Sequence, residues 1–307
     1  MPLNQLYEQV LTEMKKHIAG KEDVIELMFI SVIAQGNVML EGVPGVAKTT
    51  MTKTLAQIID AGFGRVQGTP DLSIADIAGY VYQDQSGRLK IKKGAIFTNL
   101  FLIDELNRMQ PKVMSALLEA LEEKQVTIGD QTFPLPKPFT AFATQNPLNI
   151  EGTVALPKVL ADRFLMKINV TYPSQEEEKE MLRIKDREET IEVKKVLGID
   201  DILALQVDAK KIAISDEVLD YITKVVDASR EDIHVVMGGS PRAEISFMQC
   251  AKARALIHQR NEATIDDIKF LARPVLSHRI AVRSTGGIGV NGIIDGIIAS
   301  IDSGNIS

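Results

Sequence analysis

Asn37-Val38-Met39-Leu40-Glu41 followed by Gly42-Val43-Pro44-Gly45-Val46-Ala47-Lys48-Thr49 is the stretch that decides the fold. Its first five residues form a short apolar run between Gly36 and Gly42 and read as a buried strand. Residues 42–47 are a tight Gly/Pro loop, and residues 48–59 have helical spacing. A strand passing through such a loop into a helix is a phosphate cradle. Backbone N–H groups converge on phosphate oxygens at a helix N-terminus, where the dipole also favours an anion. In this reading Lys48 reaches the β- and γ-phosphates of a nucleotide, and the Thr49 hydroxyl ligates Mg²⁺. The strict pattern has glycine where this chain has Ala47, and alanine fits there if its φ stays negative. The plainer alternative, a loop before a helix with a surface lysine, loses to the flanking strand and to the residues downstream.

Working outward, residues 64–67, 100–104, 139–144 and 164–168 read as four further strands alternating with helical segments. That alternation predicts an α/β fold, an αβα core around a parallel five-stranded sheet. Upstream, Leu3, Tyr7, Val10, Leu11, Met14 and Ile18 mark one helix, and residues 22–33 a second. Two places break the alternation. Tyr80-Val81-Tyr82-Gln83 with residues 88–91 reads as a hairpin, and so does Gln125-Val126-Thr127-Ile128 with Thr132-Phe133. Both look like insertions into the core plan.

After Tyr172-Pro173 the texture becomes helical, opening on a capping-box pair, Ser174 and Glu177. The expected organisation is a core at 1–170 and a smaller α-helical lid at 171–307, whose Gly- and Ile-rich tail ends in a short helix. The 307 residues carry 35 Lys plus Arg against 41 Asp plus Glu, a net charge of −6, and the split at 170 leaves −1 in the core and −5 in the lid. Mild acidity disfavours bulk attraction to nucleic acid or anionic membrane. Glu176, Glu177 and Glu178 are read as exposed lid carboxylates that could meet neighbours or clients. A single cysteine, Cys250, excludes an intrachain disulfide, and four scattered histidines lack ligand spacing for zinc. The first nine residues lack a signal-peptide core, and the longest apolar run, 27–34, is far too short for a bilayer. A cytoplasmic, soluble protein with no membrane insertion is the expectation.

The remaining chemistry gathers at strand ends. Leu100-Phe101-Leu102-Ile103 leads into Asp104-Glu105. An aspartate there can hold Mg²⁺, and a glutamate beside it can act as general base on the attacking water. Asn146 ends the next apolar strand, where an amide can sense a γ-phosphate; taken alone, Asn146-Pro147 reads more simply as a turn. Arg163 precedes the fifth strand, and Arg242 follows Ser240-Pro241, an N-cap with Pro at the first helical position. Guanidinium groups stabilise a transferring phosphoryl, although a surface ion pair is the commoner fate of an arginine.

Together these blocks resemble an AAA+ ATPase, more narrowly the MoxR family, over nearly the whole chain. The resemblance rests on residues 42–49, on Gln67-Gly68-Thr69-Pro70-Asp71 and on Asp104-Glu105-Leu106-Asn107-Arg108. It continues through Ala143-Thr144-Gln145-Asn146-Pro147, Glu151-Gly152-Thr153, Asp162-Arg163-Phe164, Ser240-Pro241-Arg242-Ala243 and His278-Arg279-Ile280. Alanine before the loop lysine resembles the MoxR form. The resemblance implies ATP bound between core and lid by residues 42–49 and Thr50, with Ile18 and Ala19 on the adenine. It assigns Asn146 as sensor 1, Arg242 as sensor 2 and Arg163 as an arginine finger acting in trans. It therefore implies a homo-oligomeric ring, commonly a hexamer. The two hairpins match the helix-2 insert and the pre-sensor-1 hairpin of this branch. Gly68 departs from the family, which often has a bulkier residue there, with local consequences expected. Family members are thought to act as chaperones that remodel or mature protein complexes, often alongside von Willebrand factor A domain proteins.

ATP hydrolysis driving remodelling of a protein partner is thus the leading reading. A nucleotide-gated binding module with negligible turnover is the second. A DNA-directed motor is the third, opposed by the acidic balance and by the lack of a basic arm. No Asn-Lys-x-Asp motif supports a GTPase.

Overall fold

The computed structural model describes residues 3–146, 156–187, 192–283 and 289–304. Two helices, α1 (Leu3–Lys15) and α2 (Glu22–Ile33), lead into β1 (Val38–Glu41), α3 (Lys48–Ile58) and β2 (Phe63–Gln67). A short α4 (Ile74–Ala78) precedes a hairpin of β3 (Gly79–Gln83) and β4 (Leu89–Lys93). Then come β5 (Leu100–Asp104), α5 (Pro111–Glu123), a second hairpin of β6 (Gln125–Ile128) and β7 (Gln131–Pro134), and β8 (Thr140–Gln145). A one-turn α6 (Lys158–Ala161) and β9 (Met166–Asn169) complete this half.

Five strands form one parallel sheet in the order β2-β5-β8-β1-β9. Period-two alternation assigns its side chains to two cores. Val38, Leu40, Leu100, Leu102 and Phe142 join the apolar cluster under α1, α2 and α3, whereas Met39, Phe101, Ile103, Ala141 and Ala143 join the cluster under α5. Both faces are covered, so β5 is buried at all five positions and reads as a continuous apolar run. Each such Leu, Ile or Phe contributes about 1.5–3 kcal/mol by burial. The order also sets β8 between β1 and β5. The carboxyl ends of those three strands therefore lie side by side, the place where parallel sheets bind ligands.

The second half is helical: α7 (Gln175–Arg187), α8 (Ile199–Lys211), α9 (Asp216–Glu231), α10 (Pro241–Ile257), α11 (Ile265–Leu276) and α12 (Val290–Asp302). Ser215 and Ser240 cap α9 and α10 through their hydroxyls, as Ser and Thr do at helix starts. A small antiparallel ladder of β10 (Val235–Met237) and β11 (Ala281–Val282) joins two of its loops. The sequence reading missed this ladder because strands of two or three residues show no period.

The lid is anchored on α2, which is buried at every position from Val24 to Ile33. Gln206 of α8 donates to the Val32 carbonyl at 2.8 Å, and Arg254 of α10 donates to Glu26 at 2.9 Å and to Asp267 at 2.6 Å. The body of the lid therefore rests on α2, and its α7 is what reaches the mouth of the Gly42 loop. No described helix is long and apolar enough to cross a membrane.

Lys124, just after α5, is enclosed by core residues, donates to Asn37 Oδ1 at 3.1 Å and lies 5.1 Å from the centre of the Phe139 ring. Burial pulls its ammonium down to about 8. The folded chain therefore releases this proton before the unfolded chain does. Between about pH 8 and the ordinary lysine value the unfolded state holds more protons, so stability rises with pH there. Lys124→Met is expected to raise stability at pH 7 by about 1–3 kcal/mol, a gain that fades above pH ~10. Urea titrations of both proteins across that window measure the difference.

Candidate functional site

The Gly42–Thr49 loop turns out of β1 and opens α3. Lys48 folds back on it, donating to the Gly42 carbonyl and, at 3.0 Å, to the Val43 carbonyl. Burial lowers the Lys48 ammonium, opposed by the Asp104, Glu105 and Glu41 carboxylates. Ala47 departs from the expectation of a negative φ. It stands at φ 59°, ψ 19°, in the left-handed region, and its carbonyl receives the Met51 N–H at 2.8 Å. The loop thus makes the turn that a glycine would make freely, at a cost of about 1–2 kcal/mol for the methyl.

Asp104 closes β5 opposite Thr49. Its Oδ2 accepts the Thr49 hydroxyl at 3.0 Å and the Arg65 guanidinium at 2.7 Å, and its Oδ1 accepts the Thr144 hydroxyl at 2.6 Å. Burial pushes its pKa up, but the Thr144, Arg65 and Thr49 hydrogen bonds outweigh burial and hold it below the usual carboxylate range. Arg65 already supplies a positive charge on the oxygen that faces Thr49. A carboxylate with a hydroxyl in hydrogen-bond contact offers two hard oxygens side by side, a fitting donor pair for Mg²⁺.

Glu105 follows in the left-handed region at φ 55°. Its backbone N–H donates to Thr144 Oγ1 at 2.8 Å, while Gln67 and Arg108 grip its Oε2 at 2.9 and 2.8 Å. Gly68 lies beneath: a Cβ there would stand 2.2 Å from the Glu105 carbonyl oxygen and 2.9 Å from that of Asp104. A larger side chain at position 68 would therefore press on the Glu105 turn. Asn146 directly follows β8, and its carbonyl accepts Asn107 Nδ2 at 3.4 Å. Gln67, Arg108 and Thr144 stand in the motif blocks of the sequence without an assigned role, and Arg65 stands outside them. The alternation Arg65-Val66-Gln67 on β2 was the available signal, since it puts two polar side chains on one face beside the β5 end.

A cleft of about 240 Å³ opens beside the loop, lined by Ile18, Ala19, Gly45, Val46, Ala47 and Thr50, with Met181 and Ile184 of α7 opposite. Glu177, read as an exposed lid carboxylate, turns inward to this cleft. It accepts the Lys21 ammonium at 3.1 Å and the Ser174 N–H at 2.7 Å, which lower its pKa. The Ser174 contacts are the capping box expected from the sequence; the Lys21 partner lies 156 residues upstream, a pairing that local charge density does not reveal.

Arg163 and Arg242 lie elsewhere. Leu165 N donates to the Asn37 carbonyl at 2.8 Å, so Arg163 sits at the amino end of β1, whereas the Gly42 loop leaves its carboxyl end. The two ends of β1 are one strand length, about 13 Å, apart. Arg242 joins Arg163 rather than Lys48: both pair with Glu122, and Arg242 also reaches Asp162 at 3.3 Å. Burial, and then the neighbouring Arg242 charge, lower the Arg163 pKa. Arg279 is buried behind them and donates to the Phe164 carbonyl at 2.7 Å and to Asp162 at 3.2 Å. Pro147 and Glu151-Gly152-Thr153 lie outside the described residues.

Residues 37–166 match the sequence profile of the ATPase family associated with various cellular activities (AAA), and residues 227–287 match the AAA lid domain. The chain is 37% identical to the uncharacterised YeaC of Bacillus subtilis, over 97% of this chain and 95% of that one. It is 38% identical to Chaperone MoxR1 of Mycobacterium tuberculosis, over 90% of this chain and 75% of that one, and 28% identical to Protein MoxR of Methylorubrum extorquens. A crystal structure of a presumptive ATPase from Cytophaga hutchinsonii superposes with a TM-score of 0.89 at 38% identity, covering 97% of this chain and 94% of that one.

Proposed function

The chain belongs to the AAA family of ATPases and to its MoxR group, and from that premise we propose that it hydrolyses ATP in a head-to-tail ring to remodel or mature protein complexes. One observation carries the reading. The Gly42 loop, Thr49, Asp104 and Glu105 gather at one end of the sheet, while Arg163 and Arg242 stand together at the other. A protomer cannot close that gap on itself. A second copy docked head to tail can, and head-to-tail contacts that close produce a ring. We take 1–170 as the nucleotide-binding core and 171–307 as the lid.

Residues 42–49 cradle the phosphates through backbone N–H groups, and Ile18, Ala19 and Thr50 border the base. Lys48 leaves the Gly42 and Val43 carbonyls for the β- and γ-phosphate oxygens. Thr49 and Asp104 hold Mg²⁺, which when bound neutralises developing phosphate charge. Glu105, held by Gln67 and Arg108, takes the proton of the attacking water, and Asn146 orients that water against the γ-phosphate. Arg163 and Arg242 of the next subunit stabilise the transferring phosphoryl. The cytoplasm is the proposed compartment, and a von Willebrand factor A domain protein the proposed partner.

The test is steady-state phosphate release from the purified chain. Turnover is expected with Mg²⁺-ATP, is abolished by chelation, and rises with protein concentration as subunits meet. Release at background level with and without partner protein would favour a nucleotide-gated module, and stimulation by DNA a DNA-directed motor.

A further inference from the structure

Arg163 and Arg242 share one carboxylate. Glu122, near the end of α5, gives Oε2 to Arg163 Nη1 and Oε1 to Arg242 Nη2 at 2.8 Å. The other acidic group, Asp162, is already committed: it accepts Arg279 Nε at 3.2 Å and the Ser240 hydroxyl at 2.9 Å as well as Arg242. Arg163 is left short of acceptors, since its Nε is buried with no hydrogen-bond partner among the described residues. The side chains of Glu122 and Arg242 are 42% and 47% exposed, so the pair faces outward. A cavity of about 210 Å³ adjoins them, and its lining carries Lys124, Arg163, Arg242 and Arg279 against Glu122 and Asp162. With Lys124 and Arg279 behind the arginine pair, the lining carries more positive than negative charge, and Glu122 is its exposed carboxylate.

We propose that Glu122 is the residue that makes this arginine pair selective for a neighbour loaded with ATP, by holding both guanidinium groups until a γ-phosphate replaces it. The assignment rests on the reading that Arg163 and Arg242 act in trans. A terminal phosphate offers three oxygens where Glu122 offers two, enough to supply both guanidinium groups. ADP ends one phosphate short and cannot reach the pair, so Glu122 stays in place and the contact remains weak. Without the carboxylate, two adjacent guanidinium groups repel each other and accept any anion, and the distinction between the two nucleotides narrows.

Sedimentation velocity in the hydrolysis-deficient Glu105→Gln background reads this directly, as the subunit concentration at half-assembly in ATP and in ADP. Adding Glu122→Gln, which keeps the shape of the side chain, is expected to reduce the preference for ATP about tenfold, chiefly by improving assembly in ADP. Glu122→Asp keeps the charge and is expected to retain most of the preference. Circular dichroism and thermal melting matched to the parent establish that both variants fold. An unchanged preference in Glu122→Gln, or a parent that assembles equally in both nucleotides, overturns the assignment. Full turnover by Arg163→Ala on its own would instead overturn the trans reading, and this assignment with it.

Discussion

Glu105→Gln is expected to bind ATP within about threefold of the parent and to release phosphate about 10²- to 10⁴-fold more slowly, the usual worth of a positioned general base. The substitution is nearly isosteric, so the turn at φ 55° and its N–H bond to Thr144 remain. The amide oxygen can still accept from Gln67 and Arg108, which now hold the carboxylate at 2.9 and 2.8 Å. What is removed is the negative charge, and with it the basicity and the ion pair with Arg108. The Gly42 loop, Lys48, Thr49 and Asp104 are untouched, and they are the groups proposed to bind nucleotide and metal. Filter binding of labelled ATP and steady-state phosphate release separate the two effects. Normal turnover would remove Glu105 from the chemistry. Loss of both binding and turnover would mean that the Gln67–Glu105–Arg108 arrangement supports the loop itself.

What could be read from sequence were contiguous patterns. The Gly42 loop between a strand and a helix, the apolar Leu100–Asp104 run and the two hairpins each carry their signal within a few neighbouring residues, and the observed bounds match the expected ones to within two positions. The order of the strands is not local. Nothing in β5 or β8 says that β8 lies between β1 and β5, yet that placement brings Thr144 against Asp104 and Glu105. Likewise, Arg242 has a readable cap in Ser240-Pro241, but its position depends on how the whole lid rests on α2, which is a matter of packing over many helices. Glu177 shows the same limit on a smaller scale. Three consecutive glutamates suggest a solvated face, and the side chain that turns inward is selected by Lys21 in another element. Ala47 illustrates a different failure: a backbone angle is decided by how Lys48 and the Gly42 and Val43 carbonyls close the loop, and residue type biases it only weakly.

Arg163→Ala is expected to abolish turnover in a homogeneous preparation and to regain it on mixing with Glu105→Gln subunits. Each variant lacks one half of the composite site. The Arg163→Ala subunit keeps its own Gly42 loop, Asp104 and Glu105, because these lie at the carboxyl ends of the strands and Arg163 at the amino end of β1. The Glu105→Gln subunit keeps its arginine pair. In a head-to-tail ring the two complete each other wherever the first presents its nucleotide to the arginines of the second. That holds at about a quarter of the contacts in an equal random mixture. The loss in the single variant should reach about 10³-fold or more if Arg163 stabilises the transferring phosphoryl. The partial recovery gives phosphate release at roughly a tenth to a quarter of the parent rate, saturating as the Glu105→Gln partner is added in excess. A mixture that stays inactive while assembling normally would exclude a finger acting between subunits. Arg163 would then be a structural cation, holding Glu122 and the α5 end in place, and the ring would need another source of positive charge at the γ-phosphate.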